Sequence, residues 1–173
     1  MSVRNTRAAA TIITAITVMA LVSGCGLVSS IKNDGVSNPI TPEQSKTQVI
    51  DAAKDIVGIL NLQVQEPAFW HASCNDQDEA PFRGQMTIGY PLPSNAEAAD
   101  AEVAQMINIL QTKGWTTDSE AHGHGVTLTK NGVMASLSAR PANSEGILEL
   151  LGECRDTTTT KDTKGRVEDV NLS

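Results

Sequence analysis

The sequence predicts an α+β two-layer sandwich, with two helices packed on one face of an antiparallel sheet of about five strands. Three observations lead to that class. Thr41-Pro42-Glu43-Gln44 and Ser94-Asn95-Ala96-Glu97 are helix starts, each followed by apolar residues spaced three and four apart. Asn131-Gly132 separates two alternating runs, a strong hairpin signal. Short alternating segments elsewhere are bounded by Gly and Pro, as strands are.

Each element follows from local chemistry. Thr41 caps the first helix, Pro42 suits its first position, and Gln44 completes the capping box. Val49, Ile50, Ala53, Ile56, Val57 and Leu60 form one stripe, and Asn61 is the stop, so the helix covers about residues 42–60. Val64–Ser73, carrying Phe69 and Trp70, reads as a strand ending near Cys74. Asn75–Pro81 is an acidic loop, and Arg83–Tyr90 alternates as a second strand ended by Pro91 and Pro93. The second helix covers about residues 95–113, with Ala99, Val103, Met106, Ile107 and Leu110 on one face and Gly114 as its stop. Trp115–Ser119, Gly125–Lys130, Val133–Ala139 and Gly146–Cys154 are strand-like. Residues 157–173 are polar, and disorder is expected there because little apolar surface offsets the cost of ordering them.

The N-terminus carries an address. Arg4 and Arg7 precede the apolar run Ala8–Val22, and small residues lead to Cys25. That order is a signal peptide over residues 1–24. Its apolar run of about 15 residues is shorter than the roughly 18–20 needed to span a bilayer. Val22-Ser23-Gly24-Cys25 reads as a lipobox, where the chain is cut and the Cys25 thiol takes a diacylglyceryl group. Palmitate-type chains on Cys25 would hold the protein on the extracytoplasmic face of the cell membrane. Residues 25–40 then form a flexible tether rich in Ser, Asn and Gly, and residues 41–156 form the globular domain.

Charge narrows the partners. The full chain has 20 acids and 13 Lys or Arg, and loss of Arg4 and Arg7 with the signal leaves a net charge of −9. Such a chain is unsuited to nucleic acid or to anionic lipid, so membrane contact is expected through the Cys25 anchor alone. Cys74 and Cys154 remain as an even pair in an oxidising compartment, which predicts a disulfide. Two buried thiols or a redox pair are the alternatives, though no C-x-x-C motif occurs. A bridge would bring the strand carrying Trp70 beside the last strand, with Cα atoms roughly 4.4–6.8 Å apart.

Candidate chemistry is sparse. His122-Gly123-His124, with His71 as a third ligand, could suggest a metal, but the spacing suits an exposed loop better and no acid stands at ligand spacing. Asp76, Asp78 and Glu79 offer an Asp-x-Asp pattern without the glycine and distant glutamate of a calcium loop. No nucleophile elbow or phosphate-binding glycine loop is present, so neither an enzyme nor a cofactor is expected. Phe69, Trp70 and Tyr90 read as core under the first helix, or alternatively as the lining of a groove.

Trp70-His71-Ala72-Ser73-Cys74-Asn75-Asp76, then Pro81-Phe82-Arg83-Gly84 and a strand ending Tyr90-Pro91, resemble small mycobacterial lipoproteins of the LppA type. The Gly114-Trp115 junction and a late strand ending in Cys154 fit the same likeness, over residues 41–155. The resemblance implies a cell-envelope lipoprotein with an α+β domain and brings no catalytic residues. Two functional expectations follow. The first is a non-enzymatic module that binds a protein or envelope component through its sheet face or loops. The second is a carrier of a small apolar or lipid ligand, with Met86, Ile88, Met106 and Ile107 lining a void.

Overall fold

A computed structural model describes residues 35–117 and 126–172. In chain order the elements are α1 (Pro42–Leu60), β1 (Gln65–Ser73), β2 (Phe82–Pro91), α2 (Ala96–Thr112), β3 (Thr116–Thr117), β4 (Thr127–Lys130), β5 (Val133–Arg140), β6 (Glu145–Leu151) and β7 (Glu168–Asp169). A single 3-10 turn, Pro141–Asn143, joins β5 to β6. The strands form one antiparallel sheet in the order β3-β4-β5-β6-β2-β1-β7. The α+β class holds, and the sheet has seven strands where about five were expected. β3 falls within the strand-like stretch Trp115–Ser119, and β7 lies in the segment where disorder was expected; its two-residue pairing leaves almost no periodicity to read in a sequence.

Both helix starts are chemical. The Thr41 hydroxyl accepts from the Gln44 N–H at 3.2 Å, while the Gln44 side chain accepts from the Thr41 N–H at 2.9 Å. The second helix begins one residue later than its sequence pattern suggests. Asn95, not Ser94, is the cap, and its side-chain oxygen accepts from the Ala98 N–H at 3.0 Å. Gly114, at φ +88°, takes the left-handed turn that ends α2 and lets the Trp115 N–H reach the Leu110 carbonyl.

Side-chain alternation then decides which face meets the helices. Phe69, Met86, Leu150, Ala135 and Leu128 are register partners across five strands, and all are buried. Ile88, Leu148 and Leu137 form a second buried row. Val49, Ala53 and Ile56 of α1, with Ala99 and Leu110 of α2, close over these rows in one core. Met86 and Ile88 are therefore packed core residues, whereas Met106 and Ile107 are only partly buried and Met106 lines an open surface concavity with Leu60, Glu102 and Ile109.

Helix α1 lies unusually close to the sheet. A Cβ at Gly84 would stand 2.7 Å from the Ser45 carbonyl oxygen, and one at Gly152 would stand 3.0 Å from a Val49 methyl. The buried Ser45 hydroxyl uses this proximity to accept from the Gly84 N–H at 2.7 Å. A similar fit lies beneath Tyr90, whose ring carbons stand 2.2 Å from where a Gly146 Cβ would be.

The C-terminal segment departs from expectation. Residues 157–172 are placed against the domain where disorder was expected. The cause is not average composition but a few point attachments. Asp156 is fully buried, and its carboxylate accepts from the backbone N–H groups of Thr158 and Thr159 and from both their hydroxyls. Lys164 pairs with Asp78 at 2.8 Å, and Lys46 pairs with Glu168. β7 then adds to the edge of β1, and Val170 and Leu172 pack against the core.

Candidate functional site

Cys74 and Cys154 are joined, with Cα atoms 6.0 Å apart. The strand pairing inferred from that bridge needs correction: β1 and β6 are not neighbours, because β2 lies between them. The bridge forms beyond the strand ends. Gly152 donates to the Gly84 carbonyl, Asp156 and Phe82 exchange backbone hydrogen bonds, and Cys154 lies in the bulge between these pairings. On the other side of β2, the Cys74 N–H donates to the Pro81 carbonyl. The disulfide therefore reaches across the start of β2 and ties its two flanks together.

The incoming chain joins this same end. Ile40 makes a parallel bridge with Asp156 and donates its N–H to the Arg155 carbonyl at 2.9 Å. The Arg155 guanidinium donates to the Asn38 carbonyl and to Glu153.

The residues singled out for chemistry do not converge. Cys25, His122 and His124 lie outside the described residues. His71 faces the helices beside Phe69, the rings meeting edge-on at 5.1 Å. Burial lowers its pKa from the usual 6.5, against the opposing pull of Asp156 and Glu168. Asp78 is engaged by Lys164, and no group of three metal-ligating side chains occurs among the described residues. Tyr90 is buried in the core, and its phenol is pushed up to about 12 by burial and then by Glu102.

Trp70 is a different case. Phe69 and Tyr90 are core, as read from the sequence, but alternation turns Trp70 to the opposite face. Its row is Trp70, Gln85, Leu151, Met134 and Thr129, all partly exposed. Gln85 donates to Glu149 at 2.8 Å on this face. Both helices pack on the other side, so the described helices leave this surface uncovered. The signal that could have found it is the parity of Trp70 against Phe69.

Two concavities flank α1. Gln48, Asp51, Asp55, Trp115, Lys130 and Asn131 line a cleft of about 320 Å³. Its polar groups largely engage one another: Asp55 accepts from the Trp115 indole at 3.1 Å and from Lys130 at 2.8 Å. The second is an open groove of about 760 Å³ walled by Val57, Leu62, Val64 and Pro67 on one side and residues 169–172 on the other.

The model of the family "Putative lipoprotein LppJ" matches residues 41–173, from the first helix through the docked C-terminal segment. The chain belongs to this family. The LppJ lipoprotein of Mycobacterium tuberculosis is 37% identical over 153 residues, covering 82% of this chain and 79% of the relative. That of Mycobacterium bovis is 37% identical over 150 residues, covering 80% and 78%. No solved structure matches. The likeness read from Trp70–Asp76 and the later turns therefore holds at the level of mycobacterial lipoproteins, and the family that matches is LppJ. None of these names states an activity or a partner, and lipoprotein relatives point to association with the envelope.

Proposed function

We propose that this protein is anchored by lipid on Cys25 at the extracytoplasmic face of the cell membrane. There it works without catalysis, as a binding module for a protein or envelope component. The observation that carries this reading is the Val22–Cys25 motif behind Arg4, Arg7 and the apolar run. The family's lipoprotein name supports it, and so does the Cys74–Cys154 disulfide, since such bonds persist in oxidising compartments. The LppA-type likeness supports shared envelope placement only.

The face carrying Trp70, Leu151 and Met134 is the surface we assign to the partner. It combines a large aromatic with aliphatic and polar side chains on one sheet face, and such aromatics anchor interfaces. The packed positions of Met86 and Ile88 speak against carriage of an apolar ligand beneath the helices, and the concavity at Met106 is an open surface one.

Membrane fractionation tests the anchor. Wild-type protein should remain with membranes after a salt wash, and Cys25→Ser should be soluble or unprocessed. A Cys25→Ser chain that is processed and still membrane-bound would overturn the anchor. Pull-down from native membranes, with Trp70→Ala as the control, tests the face. A partner retained equally by both would overturn that assignment.

A further inference from the structure

We infer that the edge of β1 and the groove beside it form a second docking site, for an extended segment carrying one acidic residue and aliphatic residues two and four positions after it. The chain's own C-terminal strand is its resident occupant. This goes beyond the proposed binding face, which lies on the sheet surface and not at its edge.

The resident segment displays the recognition chemistry. Glu168 pairs with Lys46, whose ammonium also stands 5.3 Å from the centre of the Phe69 ring. Glu168 and Asp169 pair with Phe69 and Ala68 of β1, and the Val170 N–H donates to the Pro67 carbonyl at 3.1 Å. Val170 and Leu172 then pack beside Val57, Leu62 and Val64. Main-chain pairing supplies affinity and alternate side chains supply selectivity, as in strand addition to a sheet edge.

The pairing is short and its ion pair is partly exposed to solvent. The ladder is two residues long, and the Lys46 and Glu168 side chains are 33% and 50% exposed. The groove beside the segment is open to solvent. A short pairing at a sheet edge opens at lower free energy than the central strands. Beyond the short pairing with β7, β1 continues through Trp70–Ser73 without a described partner strand on that side.

Peptide binding to the full chain tests the inference. The probe is a synthetic peptide with the sequence of residues 166–173. The receptor is full-length protein with a weakened resident segment, either Val170→Ser with Leu172→Ser or Glu168→Lys. Both weakened chains should bind the peptide saturably and at least tenfold more tightly than wild type. Changing the peptide's glutamate to lysine should weaken binding several-fold, and Lys46→Glu in the receptor should restore it. Absence of saturable binding to both weakened chains would overturn the site. Equal binding of a scrambled peptide would do the same. Concentration-dependent dimers in place of peptide binding would also overturn it, because the occupant would then be a second copy.

Discussion

The two seams around α1 are built in opposite ways. Against the centre of the sheet, the helix rests on Gly84 and Gly152, with Ser45 hydrogen-bonded into β2 and the disulfide closing the end. Against the C-terminal segment, it offers an ion pair, two aliphatic contacts and an open groove. The first seam depends on shape, and an atom added at Gly84 would force the backbone to shift. The second depends on an ion pair, a two-residue pairing and partly buried aliphatic side chains. The same helix can thus anchor the fold on one side and present an exchangeable surface on the other.

The largest effect that would sharpen this contrast comes from the bridge. It closes a separation of 80 residues, which the chain-entropy model values at about 4.5 kcal/mol. Replacing Cys74 and Cys154 with Ser should lower stability by about 2–5 kcal/mol in denaturant unfolding. Thiol counting on unreduced, denatured protein should find neither cysteine free. Next is Gly84→Ala, whose methyl would meet a backbone oxygen that cannot swing away. A loss of about 1–3 kcal/mol is expected. A neutral result would show that the close seam is not constrained.

Smaller losses are expected on the open side. Val170→Ser with Leu172→Ser should reduce stability by about 1–2 kcal/mol, since both are only partly buried. Hydrogen exchange should rise at the edge of β1 and stay unchanged at β2. Equal loosening of both strands would dissolve the contrast between the seams.

The smallest effect is a dependence on pH. Burial keeps the His71 pKa below 6.5, so the unfolded chain takes up the proton first as pH falls. The stability that His71 contributes is full above about pH 6.5 and is lost as pH falls through its lower folded value. Asp156, Glu168 and Glu43 oppose the shift and Lys46 reinforces it. Unfolding of wild type and His71→Gln between pH 7.5 and 5 should show a steeper decline for wild type. Parallel curves would remove His71 from the account. Tyr90 works in the other direction. Its phenol is raised to about 12, so its contribution is full below about pH 10 and lost as pH rises through 12.

Much of this fold was legible because its causes are local. Thr41 to Gln44, Asn131-Gly132 and the alternation from Phe82 to Tyr90 each declare an element within a few residues. The disulfide followed from compartment and parity of cysteine number, but its strand neighbours did not, because a bridge formed beyond strand ends says little about strand order. The C-terminal segment was illegible for a related reason. Asp156, Lys164, Glu168 and Val170 are each unremarkable in sequence, and their partners lie as far away as Lys46 and Asp78. Trp70 lay in between: its strand was visible, but its side of the sheet had to be read from Phe69 next to it.

The entry of the chain at Ile40 has a mechanical consequence. Tension arriving from residues before Gly35 would pass through Asn38 and Ile40 to Arg155 and Asp156, and from there through Phe82 into β2. A covalent clamp, Cys74–Cys154, stands beside that load path. Groups outside it, the strand at Glu168 and the groove beside Leu172 among them, lie off that path and would not bear the load.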